Sequence, residues 1–146
     1  MIQCTPIGAV GAEVDGIDLN MISDEDLENL KALFAENGLL FFLDQELSPE
    51  AHLDFAKKWG PINVNRFFTP VEGYPCIAEV RKEPHQQYNI GGNWHTDHSY
   101  DQIPALGSML YAKELPKVGG DTLFAGCAAA FDTPVSYTHL RAHETR

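Results

Sequence analysis

The apolar positions of this chain fall into short runs of differing period, and the periods name the elements. Residues 2–19 alternate well enough for one or two short strands with glycine breaks. Ser23 then stands where a helix cap is wanted, with Asp26 three residues on as its capping-box partner. Leu27, Leu30, Leu33 and Phe34 follow as an apolar stripe at helical spacing. Gly38 occupies the position that favours a left-handed helix end. Residues 39–43 are continuously apolar and predict a central strand. Ser48 and Pro49 open a second helix, whose buried face is Leu53, Ala56 and Trp59 and which Gly60-Pro61 stops.

Beyond the helices the pattern loosens. Residues 62–75 are irregular, with Asn63, Asn65, Arg66 and Pro70, and 77–80 read as a strand. Residues 81–93 are polar and glycine-rich, suiting either a lid or a plain surface connection. Residues 105–112, bracketed by Pro104 and Gly119-Gly120, predict a buried strand. Pro116 and the glycine pair predict a turn, and residues 121–125 a further short strand. Some six short strands precede Pro134, and strands around a glycine-rich turn fit a small barrel or jelly roll.

Length and charge narrow the classes. At 146 residues the chain is one domain at most, and a globular chain of this size buries roughly 70% of its unfolded surface. The formal charge of −11 argues against nucleic acid and anionic membranes as partners. It also means that an anionic co-substrate needs local positive charge. Cys4, Cys76 and Cys127 have neither metal-knuckle nor redox spacing and read as reduced thiols, the latter two as packing residues. No signal-peptide pattern opens the chain, and its longest apolar run is too short to span a bilayer. The expectation is a soluble, cytoplasmic protein, with homo-oligomer formation left open.

The chemistry begins at His95-x-Asp97. In an extended strand these two side chains share a face, placing an imidazole nitrogen beside a carboxylate oxygen. Such a pair with open positions suits a non-haem Fe(II) centre of the two-His-one-carboxylate kind, whose second histidine must come from elsewhere in the fold. His98 would point away and reads as a residue behind the ligands or a structural one. His52 and His85 read as surface residues.

Three segments stand in order around that pair: Trp94-His95-Thr96-Asp97, Ala112-Lys113-Glu114-Leu115-Pro116 and Gly119-Gly120-Asp121-Thr122-Leu123. With residues 7–19, IGAVGAEVDGIDL, they resemble the taurine dioxygenase-like family of Fe(II)/2-oxoglutarate-dependent oxygenases over about residues 5–134. The resemblance implies an α+β, mainly β fold: an incomplete double-stranded β-helix (jelly roll, cupin-like) with two amino-terminal helices. It implies a chain whose residues 1–134 are the amino-terminal part of a dioxygenase domain. It implies Fe(II) as cofactor, 2-oxoglutarate and O2 as co-substrates, and hydroxylation of a small, anionic organic substrate with release of succinate and carbon dioxide.

Roles follow position by position. His95 and Asp97 inherit two of the three iron-ligand roles, as neutral imidazole and ionised carboxylate. Thr122 inherits a hydrogen bond to the far carboxylate of 2-oxoglutarate. The taurine-specific members hold the sulfonate region with a His and a Tyr shortly after the second helix. Those positions fall on Asn65 and Phe68, and a phenylalanine donates no hydrogen bond, so taurine itself is a poor expectation. Arg66 is a further candidate for an anionic group.

Residues 135–146, VSYTHLRAHETR, change character, holding two of the six histidines and two of the four arginines. They resemble translated adaptor read-through and are expected to be a non-native tail. His139, His143 and Arg146 are therefore set aside as ligands. Without the distal histidine and the 2-oxoglutarate arginine, the chain as written is expected to be inactive. The alternative is a non-oxygenase, cupin-like metal-binding module completed by His98 or His85.

Overall fold

A computed structural model describes residues 2–132, which form two compact units. The first unit gathers residues 2–18, 22–45 and 115–132, and the second residues 19–21 and 46–114.

In the first unit, β1 (Gln3–Pro6) and β2 (Ala12–Asp15) pair antiparallel, from Gln3 opposite Asp15 to Pro6 opposite Ala12. Helix α1 (Asp24–Asn37) then carries the chain across to β3 (Leu40–Phe41), which lies parallel to β2. A parallel return needs such a crossover. Strand β2 is the middle of the sheet, and its alternation is visible in burial: Ala12 and Val14 are buried while Glu13 and Asp15 are not.

Helix α1 has the ends its sequence asks for. The Ser23 hydroxyl accepts from the Asp26 backbone N–H at 3.1 Å, satisfying one of the helix's orphan donors. The Gly38 N–H donates back to the Phe34 carbonyl at 2.7 Å, with Gly38 at φ 72°, a conformation that costs glycine nothing and other residues energy. Leu27 and Leu30 are the buried pair of its stripe, and with Ala12, Val14 and Ile22 they make up the buried apolar residues of this unit.

In the second unit, α2 (Pro49–Trp59) starts with Ser48 accepting from Ala51 N–H at 3.2 Å and Pro49 in the first turn. Phe55 is buried, and Trp59 meets it edge-to-face at 6.0 Å. Strands β4 (Pro70–Val71) and β5 (Tyr74–Ala78) form a small bulged hairpin, and Tyr74 OH is hydrogen-bonded to Glu50 on α2. The segment after residue 108 is held on α2 by Tyr111. Its hydroxyl accepts from the Leu47 N–H at 3.2 Å, and its ring lies 6.2 Å from that of His52.

Several expectations need correction. Residues 39–43 do not form a central strand: only Leu40–Phe41 pair, at the edge of the sheet, and Leu43 is exposed. Residues 105–112 and 121–125 form no strand, and Leu106, Leu110 and Leu123 are each about 70% or more exposed. A strand satisfies its backbone only through a neighbour, and among the described residues no strand pairs with these segments. Cys76 and Cys127 are exposed rather than packed. Cys127 instead opens a short helix, α3 (Cys127–Asp132), that the sequence pattern did not suggest. The described elements are thus mixed α and β, with two small sheets. His139, His143, Arg146 and the rest of 135–146 lie outside the described residues.

Candidate metal centre

Residues 93–97 lie in an irregular turn, not a strand. Even so, His95 Nε2 and Asp97 Oδ1 are 3.2 Å apart. Strand alternation therefore does not join them; the contacts of the loop do. The other ring nitrogen, His95 Nδ1, is 2.7 Å from the Asn93 carbonyl oxygen. A carbonyl only accepts, so this bond assigns the proton to Nδ1 and leaves Nε2 with a lone pair that could hold a metal. Gly91, at φ 66°, lets the backbone pass under the ring: a Cβ there would stand 3.2 Å from His95 Cε1. On the partner side, the Ser108 hydroxyl donates to Asp97 Oδ2 at 2.8 Å, leaving Oδ1 on the side of the imidazole.

This donor set fits a metal ion. Two ligands at right angles, each about 2.1 Å from an octahedral ion, are separated by about 3.0 Å, close to the 3.2 Å observed. The side chains are 55% and 58% exposed, so an ion reaches them without rearrangement. Among the described residues no third His, Cys, Asp or Glu joins the pair. His98 is turned to other work. Its backbone is left-handed (φ 51°), and its Nδ1 lies 3.0 Å from Asp101 Oδ2, which also accepts from Asn63 Nδ2 at 3.2 Å.

That second contact ties the segment after α2 to the loop after His95 and Asp97. Phe67 and Tyr100 extend the tie with an edge-to-face ring contact at 6.4 Å. Asn65 and Phe68 are half-buried in this segment. Asn65 Oδ1 accepts from the Phe67 N–H at 2.8 Å. Arg66 is exposed. Thr122 belongs to the first unit, exposed two residues beyond Gly120.

Sequence reasoning missed two residues here. Ser108 carried no signal, because a serine inside an apolar run looks like an interruption of a strand. His52, expected at the surface, is half-buried against Tyr111, and its pKa lies below the ordinary 6.5. Burial is the main cause and the Lys113 charge the second, opposed by a hydrogen bond to the Met109 backbone.

With that geometry in place, comparison with known proteins decides the class. Residues 3–133 match the family described as taurine catabolism dioxygenase TauD, TfdA family. The chain belongs to this family. Among TauD/TfdA relatives, an (S)-phenoxypropionate/alpha-ketoglutarate-dioxygenase of Delftia acidovorans is 31% identical over 98% of this chain and 52% of its own length. An alpha-ketoglutarate-dependent sulfonate dioxygenase of Saccharomyces cerevisiae is 28% identical over 84% of this chain and 32% of its own length. The crystal structure of a taurine dioxygenase from Burkholderia xenovorans matches with a TM-score of 0.47 and 31% identity, over 51% of this chain and 28% of that one. The chain thus spans about half the length of the Delftia relative. No helix among the described residues is long and apolar enough to cross a membrane.

Proposed function

We propose that residues 1–134 are the amino-terminal part of an Fe(II)- and 2-oxoglutarate-dependent dioxygenase domain that hydroxylates a small anionic organic substrate, releasing succinate and carbon dioxide. The observation that carries this reading is the 3.2 Å approach of His95 Nε2 to Asp97 Oδ1, with the other donor atom of each side chain already engaged. Family membership supports it. Fe(II) and 2-oxoglutarate, when bound, would supply the oxidising chemistry; the protein positions the groups.

His95 gives the Nε2 lone pair and Asp97 one carboxylate oxygen. Thr122 donates its hydroxyl to the far carboxylate of 2-oxoglutarate. Asn65 offers amide N–H donors to the anionic group of the substrate, and Phe68 an apolar wall beside it. The third protein ligand and a cation for 2-oxoglutarate come from sequence beyond residue 134, together with the strands that complete a jelly roll, which needs about eight. Residues 135–146 are a non-native tail on this reading, and the complete enzyme works in the cytoplasm.

The relatives named above act, by name, on a phenoxy carboxylate and on sulfonates. An organic acid is the feature those substrates share, and Asn65 suits it. Phe68 does not supply a phenol's hydrogen bond, so taurine should be a poor substrate. The test is succinate release by the enzyme completed with its downstream sequence, across a panel of phenoxy carboxylates, sulfonates, sulfate esters and taurine. An organic acid other than taurine should turn over fastest, and His95→Ala or Asp97→Ala should abolish turnover. Undiminished turnover in either variant would remove the pair from the site, and taurine as the preferred substrate would remove the specificity argument.

A further inference from the structure

The turn that holds the metal pair has an anchor distant in sequence. Ser108 is eleven residues from Asp97, and its hydroxyl donates to Asp97 Oδ2 at 2.8 Å. A carboxylate has two equivalent oxygens and rotates freely when exposed, as Asp97 is. Without Ser108, either oxygen can face the imidazole, or both can share one ion. With it, one oxygen is occupied and the other lies 3.2 Å from His95 Nε2. We propose that Ser108 is a positioning residue for the metal pair: it fixes which oxygen of Asp97 meets the ion and keeps that carboxylate monodentate.

The serine is itself held in place. The backbone of Met109, its neighbour, lies beside the His52 ring on α2. Two residues further on, the Tyr111 ring packs edge-on against His52 at 6.2 Å, and its hydroxyl accepts from the Leu47 N–H. Lys113 Nζ lies 4.5 Å from the centre of the same ring. A segment without regular secondary structure is thereby pinned to a capped helix, and Ser108 stands at the pinned end. The arrangement parallels that of the imidazole, where the Asn93 carbonyl holds Nδ1. Each ligand thus has one atom for the ion and one atom held by the protein. Partners of this kind, when removed, cost about 10–100-fold in metal affinity.

The inference rests on the reading of His95 and Asp97 as ligands, and the experiment separates the two. Mn(II) is titrated into the 146-residue chain, with binding followed by water-proton relaxation and folding checked by circular dichroism. Wild type should show saturable binding that His95→Ala loses. Ser108→Ala should weaken binding about tenfold with an unchanged spectrum, and Ser108→Thr, which keeps the hydroxyl, should restore it. Wild-type affinity in Ser108→Ala overturns the positioning role while leaving the ligand pair standing. Equal weakening in Ser108→Thr also overturns it, because the loss then follows from bulk rather than from the hydrogen bond. An absence of saturable binding in wild type that His95→Ala leaves unchanged overturns the ligand assignment and this inference together.

Discussion

Helix α1 and residues 105–112 carry four large apolar side chains each, yet one is ordered by rule and the other is not. In α1 every interior backbone group has its partner four residues away, and Ser23 and Gly38 close the two ends. Leu27 and Leu30 then have only to face the sheet. Residues 105–112 have no such internal closure. Their strand needs a neighbour, and lacking one among the described residues, the segment takes an irregular path with Leu106 and Leu110 exposed. What order it has comes from side chains: Ser108 on Asp97, and Tyr111 on His52 and Leu47. Helical sequence carries its own instructions, whereas strand sequence carries half of an instruction whose other half lies elsewhere in the chain.

The contrast is sharpest between two leucines. Leu30 is fully buried, and Leu30→Ala should cost about 2–5 kcal/mol of unfolding free energy. Leu110 is 76% exposed, and Leu110→Ala should stay within about 0.5 kcal/mol. Urea unfolding of the two variants makes the comparison. A cost at Leu110 as large as that at Leu30 would mean that the segment is packed after all.

The cap of α1 provides a smaller effect. Ser23→Ala leaves the Asp26 N–H without its acceptor and should cost about 1 kcal/mol, which Ser23→Asp should largely restore. Thermal unfolding followed at helical wavelengths reads both. No change in Ser23→Ala would show that tertiary contacts alone hold that end.

The smallest expected effect is on pH. The folded state keeps His52 below the ordinary 6.5, so its neutral form is the one that folding favours. Well above 6.5 the ring is neutral in folded and unfolded chains alike, and its contribution is constant. As pH falls through 6.5 the unfolded chain takes up a proton that the folded chain resists, so stability drops until the folded ring also titrates. His52→Gln should flatten that part of a plot of Tm against pH between 7.5 and 5.5. An unaltered slope in the variant would show that the ring is not held neutral.

Legibility in the sequence follows the same division. Ser23, Gly38, Ser48 and Pro49 act over four residues or fewer, and each stands where the pattern put it. The alternation of Ala12 and Val14 was equally local. Residues 39–43 were misread because an apolar run reports burial without reporting which side is covered. The approach of His95 to Asp97 was expected for a reason that did not hold. Same-face spacing in a strand suggested it, whereas a turn held by Asn93, Gly91 and Ser108 builds it. Ser108 was invisible because its partner is eleven residues away and hydrogen bonds across a loop leave no period in the sequence.

The central claim is that this chain holds two ligands of a dioxygenase centre, well placed but incomplete. The most direct measurement is succinate formed from 2-oxoglutarate in air by the purified 146-residue chain with Fe(II), set against its His95→Ala variant. The account predicts the same background from both. Succinate release by the chain that His95→Ala abolishes would contradict it, placing a complete site within these residues.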